Sequence, residues 1–293
     1  MKTVVSLQDL LELEIRPGAL VGEYQRLSEE AVRSWPASAL HDVACPGCGS
    51  FAARHAFDRF GLAYRECDRC GSVYLSPRPD ERTLAEHAAS SAPARFWRER
   101  VLPETEQVRR EKILLPRTDW VHDGIAEYAP GARTVIELAP NGGEVPAGPV
   151  DAITAFETFD RAADPRALVA AAHRALRPGG LLFATAPSIS GFELQVLWDR
   201  ARTIAPPDKI NLLSLRGFAA LFGDGWEILE LSTPGMFDVE TVRRAVEADP
   251  AGPWPRFVRT LVLETSEQQR LEFQECLQRA RLASFARLLV RKG

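Results

Sequence analysis

The sequence predicts an α/β protein, a mostly parallel sheet with helices on both faces, preceded by a helical and metal-binding module. Three observations predict it. From Arg133 onward, short apolar runs of strand character alternate with amphipathic stretches, the pattern of parallel strands joined by helical crossovers. Two cysteine pairs, Cys45-Pro-Gly-Cys48 and Cys67-Asp-Arg-Cys70, stand eighteen residues apart, within the spacing of two zinc knuckles. The composition, 45% hydrophobic and 26% charged over 293 residues, is that of a soluble globular chain, with length for about two domains.

Taken in order, residues 1–42 read as N-terminal helices. Ser6-Leu-Gln-Asp9 resembles a capping-box start of a short helix. A second helix is predicted over Ala19 to Ser34, with Leu20, Tyr24, Leu27 and Val32 on one face. Residues 43–79 read as a zinc ribbon. Each CxxC makes a tight turn that points two sulfurs the same way, and Gly47, Gly49 and Gly71 relieve the backbone there. Cys45, Cys48, Cys67 and Cys70 together complete a tetrahedral thiolate cage with no open position, so the predicted zinc is structural. Two redox pairs or four unligated core cysteines are the competing readings. Cys276, alone in a helical stretch, reads as a small buried hydrophobe.

Residues 80–130 read as a helical connector. Asp80 caps a helix to about Ser90, and a longer helical region over 93–129 is broken by Pro103 and Pro116. Residues 131–293 hold the sheet. Strands are predicted at 134–138, 151–156, 181–186 and 226–231, and helices at 166–176, 191–203 and 214–222. Pro178-Gly-Gly180 stops the first of these helices. The tail reads as helix 271–283 followed by strand 284–291.

Other classes are excluded on charge and length. Lys plus Arg number 36 against 40 Asp plus Glu, a net charge of −4, which offers nucleic acid no global attraction. Apolar runs such as Leu168 to Ala172 fall far short of the ~20 residues that span a bilayer. The N-terminus has acids within its apolar stretch and no small-residue cleavage site. A cytoplasmic protein is expected. The histidines (His41, His55, His87, His122, His173) show no ligand spacing and read as structural or surface residues; Trp97, Trp120, Trp198 and Trp226 read as core.

A set of ordered motifs then accumulates. It comprises the ribbon with Tyr74-Leu-Ser-Pro-Arg-Pro79, Phe96-Trp97, Arg109-Arg-Glu-Lys112, Val135-Ile-Glu-Leu-Ala-Pro-Asn-Gly-Gly143 and Ala155-Phe-Glu-Thr-Phe-Asp-Arg161. It continues with Asp164-Pro165, Leu176-Arg-Pro-Gly-Gly180, Gly191 to Trp198, Pro206-Pro-Asp-Lys-Ile-Asn211, Thr233-Pro-Gly235 and Ala283-Ser-Phe-Ala-Arg. In this the chain resembles class I S-adenosylmethionine-dependent methyltransferases with an N-terminal zinc ribbon, of sugar, polysaccharide or secondary-metabolite pathways. The resemblance implies a Rossmann-like sheet and a glycine-rich turn after strand one that lies against the cofactor. The matching positions are Glu137, Ala139, Asn141, Gly142 and Gly143, a degenerate form of that turn. The next segment, Glu144-Val-Pro-Ala-Gly-Pro-Val150, cannot be a helix, and the strand that follows matches the family's fourth. Strands two and three are therefore expected to be missing, giving a truncated sheet of order 1-4-5-7-6.

The reaction-side residues depart too. Where relatives often carry Glu-His, this chain has Asp160-Arg161, and a histidine position is Lys209. Base catalysis would rest on Glu157, Asp160 or Lys209. Asp160-Arg161 is expected as an exposed loop pair, and Lys209 as either a solvated lysine or a contact for a small anionic, sugar-type ligand. The function expected is that of a degenerate methyltransferase-fold protein, unable to bind S-adenosylmethionine normally and acting as a partner or accessory protein. The alternatives are an active methyltransferase on a sugar or related metabolite, and an enzyme of other chemistry. The edge strand 134–138 is expected to pair with a partner in a homo- or hetero-oligomer, unless helix 93–113 covers it.

Overall fold

A computed structural model describes residues 4–6, 10–139 and 148–293. The helix expected from Ser6 begins later, as α1 (Glu12–Ile15), and residues 7–9 of that expectation lie outside the described residues. Ser6 is instead pinned to the far end of the chain, its N–H donating to Gln278 Oε1 at 2.8 Å. Helix α2 (Gly18–Arg33) follows Pro17 and turns Ser28 and Val32 inward. Strand β1 (Leu40–His41) leads to the ribbon: β2 (Ala53–Arg59), β3 (Leu62–Cys67) and β4 (Val73–Leu75) form an antiparallel meander, and β5 (Arg78–Pro79) returns to pair with β1. Helix α3 (Glu81–Ser90) starts as predicted, with Asp80 accepting the Thr83 N–H at 2.8 Å.

The prolines at 103 and 116 do not break the next helix. α4 (Ala92–Phe96), α5 (Leu102–Arg109) and α6 (Leu115–Tyr128) run on through π-helical turns at Trp97–Val101 and Arg110–Leu114. Each proline stands two residues past the end of one of these turns. The wider turn absorbs the missing N–H and the ring that would interrupt a regular α-helix.

The remaining elements are β6 (Val135–Glu137), β7 (Val150–Phe156), α7 (Pro165–Ala175), β8 (Leu176–Pro187), α8 (Phe192–Leu197) and β9 (Asn211–Leu212). After them come α9 (Leu215–Leu221), β10 (Trp226–Ser232), α10 (Asp238–Ala248), α11 (Arg256–Arg259), α12 (Glu267–Arg279) and β11 (Phe285–Lys292). Helix α8 is shorter than expected, and α10 and α11 were not expected. The main sheet runs β6-β7-β8-β11-β10; the first three strands are parallel, and β11 lies antiparallel to both its neighbours. Translated to the family's strand numbers, this is the predicted order 1-4-5-7-6.

Helix α6 covers one face of the sheet, packing Trp120 and Val121 on Phe183 and Leu289. It comes so close that a Cβ at Gly124 would stand 2.6 Å from the Phe183 ring. On the other face, Val169 and Ala172 of α7 and Phe218 and Leu221 of α9 pack over Ile153, Leu182 and Leu288. Strand β9 leaves this domain to become the fourth strand of the ribbon sheet, β2-β3-β4-β9. A single core accordingly joins Phe57, Tyr64 and Leu75 of the ribbon to Val32, Ile204, Val242 and Leu277. Among the described residues no helix is long and apolar enough to cross a membrane.

Candidate functional site

The two cysteine knuckles fold identically. In each, the first cysteine's carbonyl accepts the N–H of a glycine four residues on (Gly49 at 2.9 Å, Gly71 at 2.8 Å), and those glycines take φ of +74° and +75°. Gly47 has a different reason to be small: a Cβ there would lie 3.0 Å from the Gly217 backbone. The four sulfurs of Cys45, Cys48, Cys67 and Cys70 lie within 4.8 Å of one another, with Cys45–Cys70 and Cys48–Cys67 at 3.5 Å. Thiolates ~2.3 Å from a tetrahedral zinc stand ~3.8 Å apart, so this donor set fits the metal. Cys276, by contrast, is exposed, because α12 turns Gln274, Leu277 and Gln278 inward instead.

At the carboxyl end of β7 the chain places the groups that the sequence singled out. Glu157 follows the last strand residue with φ +47°, its N–H donating to the Thr185 carbonyl at 2.7 Å. Its carboxylate is gripped by both terminal nitrogens of Arg117 from α6. Asp160 is fully buried and accepts the Lys209 ammonium at 2.5 Å. Asp208 then joins Arg161 (2.9 Å) to Lys209 (3.5 Å). The exposed loop pair expected at Asp160-Arg161 is thus not what forms: Arg161 stands 3.8 Å from Asp160 and closer to Asp208. Lys209 is likewise no solvated lysine, being 7% exposed. Burial, the largest single influence, works to raise Glu157 and Asp208, but the surrounding cations together (Arg117, Lys209 and Arg161 on Glu157; Arg161, Lys209 and Arg16 on Asp208) outweigh it and hold both carboxyls low. For Asp160 burial wins and pushes the carboxyl up.

The backbone explains this convergence. The Asp160 carbonyl accepts the N–H groups of Ile210 (2.9 Å) and Asn211 (3.0 Å). Asn211 Nδ2 donates to the carbonyls of Phe159 and Ala162, each at 2.8 Å, and its Oδ1 accepts buried Arg78 at 2.6 Å. Segment 206–211 is therefore riveted to the loop after β7, carrying Lys209 under Asp160.

Sequence reasoning missed the residues facing this loop. Tyr24 of α2 meets Trp97 edge-on at 5.1 Å, and the Arg109 guanidinium lies 5.5 Å over the Trp97 ring. Arg109 donates through Nε to Thr105 Oγ1 (2.7 Å) and through Nη2 to the Ile15 carbonyl (2.6 Å). Burial brings its pKa down to about 10. Helical periodicity placed Tyr24 and Trp97 in the core, and Arg109 sat in a quoted motif with no role attached.

Of the positions matched to the cofactor turn, Asn141, Gly142 and Gly143 lie outside the described residues. Glu137 and Ala139 are exposed at the end of β6, which among the described residues has no strand on its outer side.

The family model described as a methyltransferase domain matches residues 87–231. That stretch, with the sheet order above, makes a methyltransferase-fold domain. Solved structures similar to the chain include a protein described as a sarcosine dimethylglycine methyltransferase from Galdieria sulphuraria, at 15% identity and TM-score 0.37, covering 61% of this chain and 86% of that one. An S-adenosylmethionine-dependent methyltransferase from Mesorhizobium loti matches at 14% identity and TM-score 0.32, covering 53% and 67%. Another, from Thiobacillus denitrificans in complex with S-adenosyl-L-homocysteine, matches at 18% and 0.26, covering 51% and 60%. No curated protein sequence matches the chain.

Proposed function

We propose that this methyltransferase-fold protein does not bind S-adenosylmethionine in the usual way. In this reading it acts as a partner or accessory protein in a sugar, polysaccharide or secondary-metabolite pathway of the cytoplasm. One observation carries this. At the strand ends, where open α/β sheets bind their ligands, each candidate reactive group is held by an opposite charge: Glu157 by Arg117, Asp160 by Lys209, Asp208 by Arg161. Glu157 and Asp208, held low by these cations, are poor proton acceptors, Asp160 is buried away from solvent beneath Lys209, and a lysine donating to two carboxylates is a poor base. Zinc on Cys45, Cys48, Cys67 and Cys70 supplies a structural cross-link, and the exposed strand end at 134–138 supplies a surface for a homo- or hetero-oligomeric partner.

Isothermal titration of the zinc-loaded protein with S-adenosylmethionine and S-adenosylhomocysteine tests the reading. No saturable binding is expected. Tight binding at one site per chain would overturn it in favour of an active methyltransferase on a sugar or related metabolite. Elemental analysis is expected to find one zinc per chain; metal-free protein with four freely titrating thiols would remove the metal from the proposal.

A further inference from the structure

The sulfurs of the two knuckles stand close enough to react with one another. Cys45 Sγ lies 3.5 Å from Cys70 Sγ, and Cys48 Sγ 3.5 Å from Cys67 Sγ, so each of these pairs joins one knuckle to the other. Cys45, Cys67 and Cys70 are buried, whereas Cys48 is part-exposed. A thiolate meets an oxidant where solvent reaches it, and a neighbouring cation favours the reaction. Arg166 brings a cation to the first knuckle, donating through Nη1 to the Gly47 carbonyl at 3.2 Å. Cys48 is therefore the point of entry, and Cys67 is in place to resolve the sulfenic acid that forms there.

The packing around the knuckles leaves no slack to absorb such a change. Cys70 Sγ lies 3.2 Å from Ser72 Oγ, which accepts the N–H of Ser214, the cap of α9, at 3.1 Å. The Ser214 hydroxyl bridges the Cys70 carbonyl (2.5 Å) and the Gly217 N–H (2.9 Å). A Cβ on Gly217 would fall 2.1 Å from Ser72 Oγ, and one on Gly47 would fall 3.0 Å from the Gly217 backbone. Both knuckles thus rest directly on the first turn of α9. Drawing the sulfur pairs from 3.5 Å to the ~2.0 Å of a disulfide moves those backbones, and the α9 cap with them. The cap follows closely on segment 206–211, which carries Lys209 beneath Asp160.

We propose that the cysteine cluster is a peroxide-sensitive switch, whose oxidation empties the metal cage and loosens the segment that carries Lys209. The Cys48 thiolate attacks hydrogen peroxide, taking one oxygen as a sulfenic acid and releasing hydroxide. The Cys67 thiolate then attacks that sulfur, forming the Cys48–Cys67 disulfide and releasing a second hydroxide. A second peroxide oxidises Cys45 and Cys70 in the same way, so four thiolates pass four electrons to two peroxides. A cage without thiolates no longer holds Zn2+, and a dithiol reductant with fresh zinc restores it. The inference rests on the metal placed at these cysteines above. A chain that never holds zinc fails that reading, and one that keeps its zinc under peroxide fails this one.

The test treats the full, zinc-loaded chain, its metal content measured first, with hydrogen peroxide in the presence of a zinc-binding dye. Release of the zinc is expected, with a mass lower by two hydrogens per disulfide and with peptides linked Cys45 to Cys70 and Cys48 to Cys67. Hydrogen exchange at 208–214 is expected to quicken by about tenfold or more, and dithiothreitol with zinc to reverse it. Cys276→Ser, which removes the exposed thiol of α12, leaves the release unchanged. Ser214→Ala, which cuts the bridge to Cys70 without touching a metal ligand, keeps the release but exchanges fast at 208–214 before peroxide as well as after. Zinc retained at a peroxide level that oxidises Cys276 overturns the proposal. So does release with peptides linked only within a knuckle, or release that leaves exchange at 208–214 unchanged.

Discussion

Glu193 shows at the residue scale what burial does to an acid. It lies in the first turn of α8, is 7% exposed, and accepts the Thr203 hydroxyl at 3.2 Å. Burial first, then the carboxyls of Asp238 and Glu12, push its pKa from the ordinary 4.5 up to about 8. Because the folded value lies above the unfolded one, the folded state holds an extra proton between the two. Stability therefore falls as pH rises through that window. Glu193→Gln, which keeps the shape without the charge, is expected to flatten this slope and to raise Tm over the parent chain by about 2–6 °C near pH 9, with less gain near pH 5. Parallel Tm profiles for the two chains would show that Glu193 does not titrate this way. Legibility at this scale follows sequence distance. The four zinc-type cysteines were readable because each knuckle is four residues long. Asp160 and Lys209 were both named, but their pairing spans 49 residues and local pattern carries no trace of it.

Among the elements, the ribbon does more than precede the domain. The Leu75 N–H donates to the Ile210 carbonyl (2.8 Å) and the Tyr64 hydroxyl to the Lys209 carbonyl (2.7 Å). Ser214, the cap of α9, donates through its hydroxyl to the Cys70 carbonyl at 2.5 Å and through its N–H to Ser72 Oγ at 3.1 Å. The second knuckle thus clamps the segment that carries Lys209. Because metal binding is coupled to folding in such sites, chelating the metal is expected to lower Tm and to speed hydrogen exchange at 208–214 as well as within 43–79. Faster exchange confined to 43–79 would mean that the clamp holds without the metal. Caps such as Asp80 were legible because they act over three residues. The run from α4 to α6 was misread because the rule that proline ends a helix assumes regular α turns, and π turns remove that condition.

At the scale of the whole molecule, each strand shows its own apolar run, and the strand order was legible only through the resemblance, which implies the order once the missing strands are taken out. Helices α10 and α11 were not: α10 is buried against α8 and α12, and α11 meets α12 through Phe257 and Phe273, contacts that no local pattern records. The order has a physical consequence at β6. Helix 93–113 does not cover this edge, since Thr134, Val135 and Glu137 are exposed, Val135 by 46%. An edge strand with an apolar side chain facing water and backbone groups open on one side is a template for another strand. Its short length, three residues, limits what such pairing contributes, so a weak, concentration-dependent association is the expected form for the isolated chain. Light scattering over a range of concentrations should give a mass rising above the 32.4 kDa of one chain, and Val135→Lys should abolish the rise while leaving Tm unchanged, because the side chain points outward. A constant monomer mass at every concentration, or a rise that Val135→Lys does not affect, would remove β6 as the contact between copies.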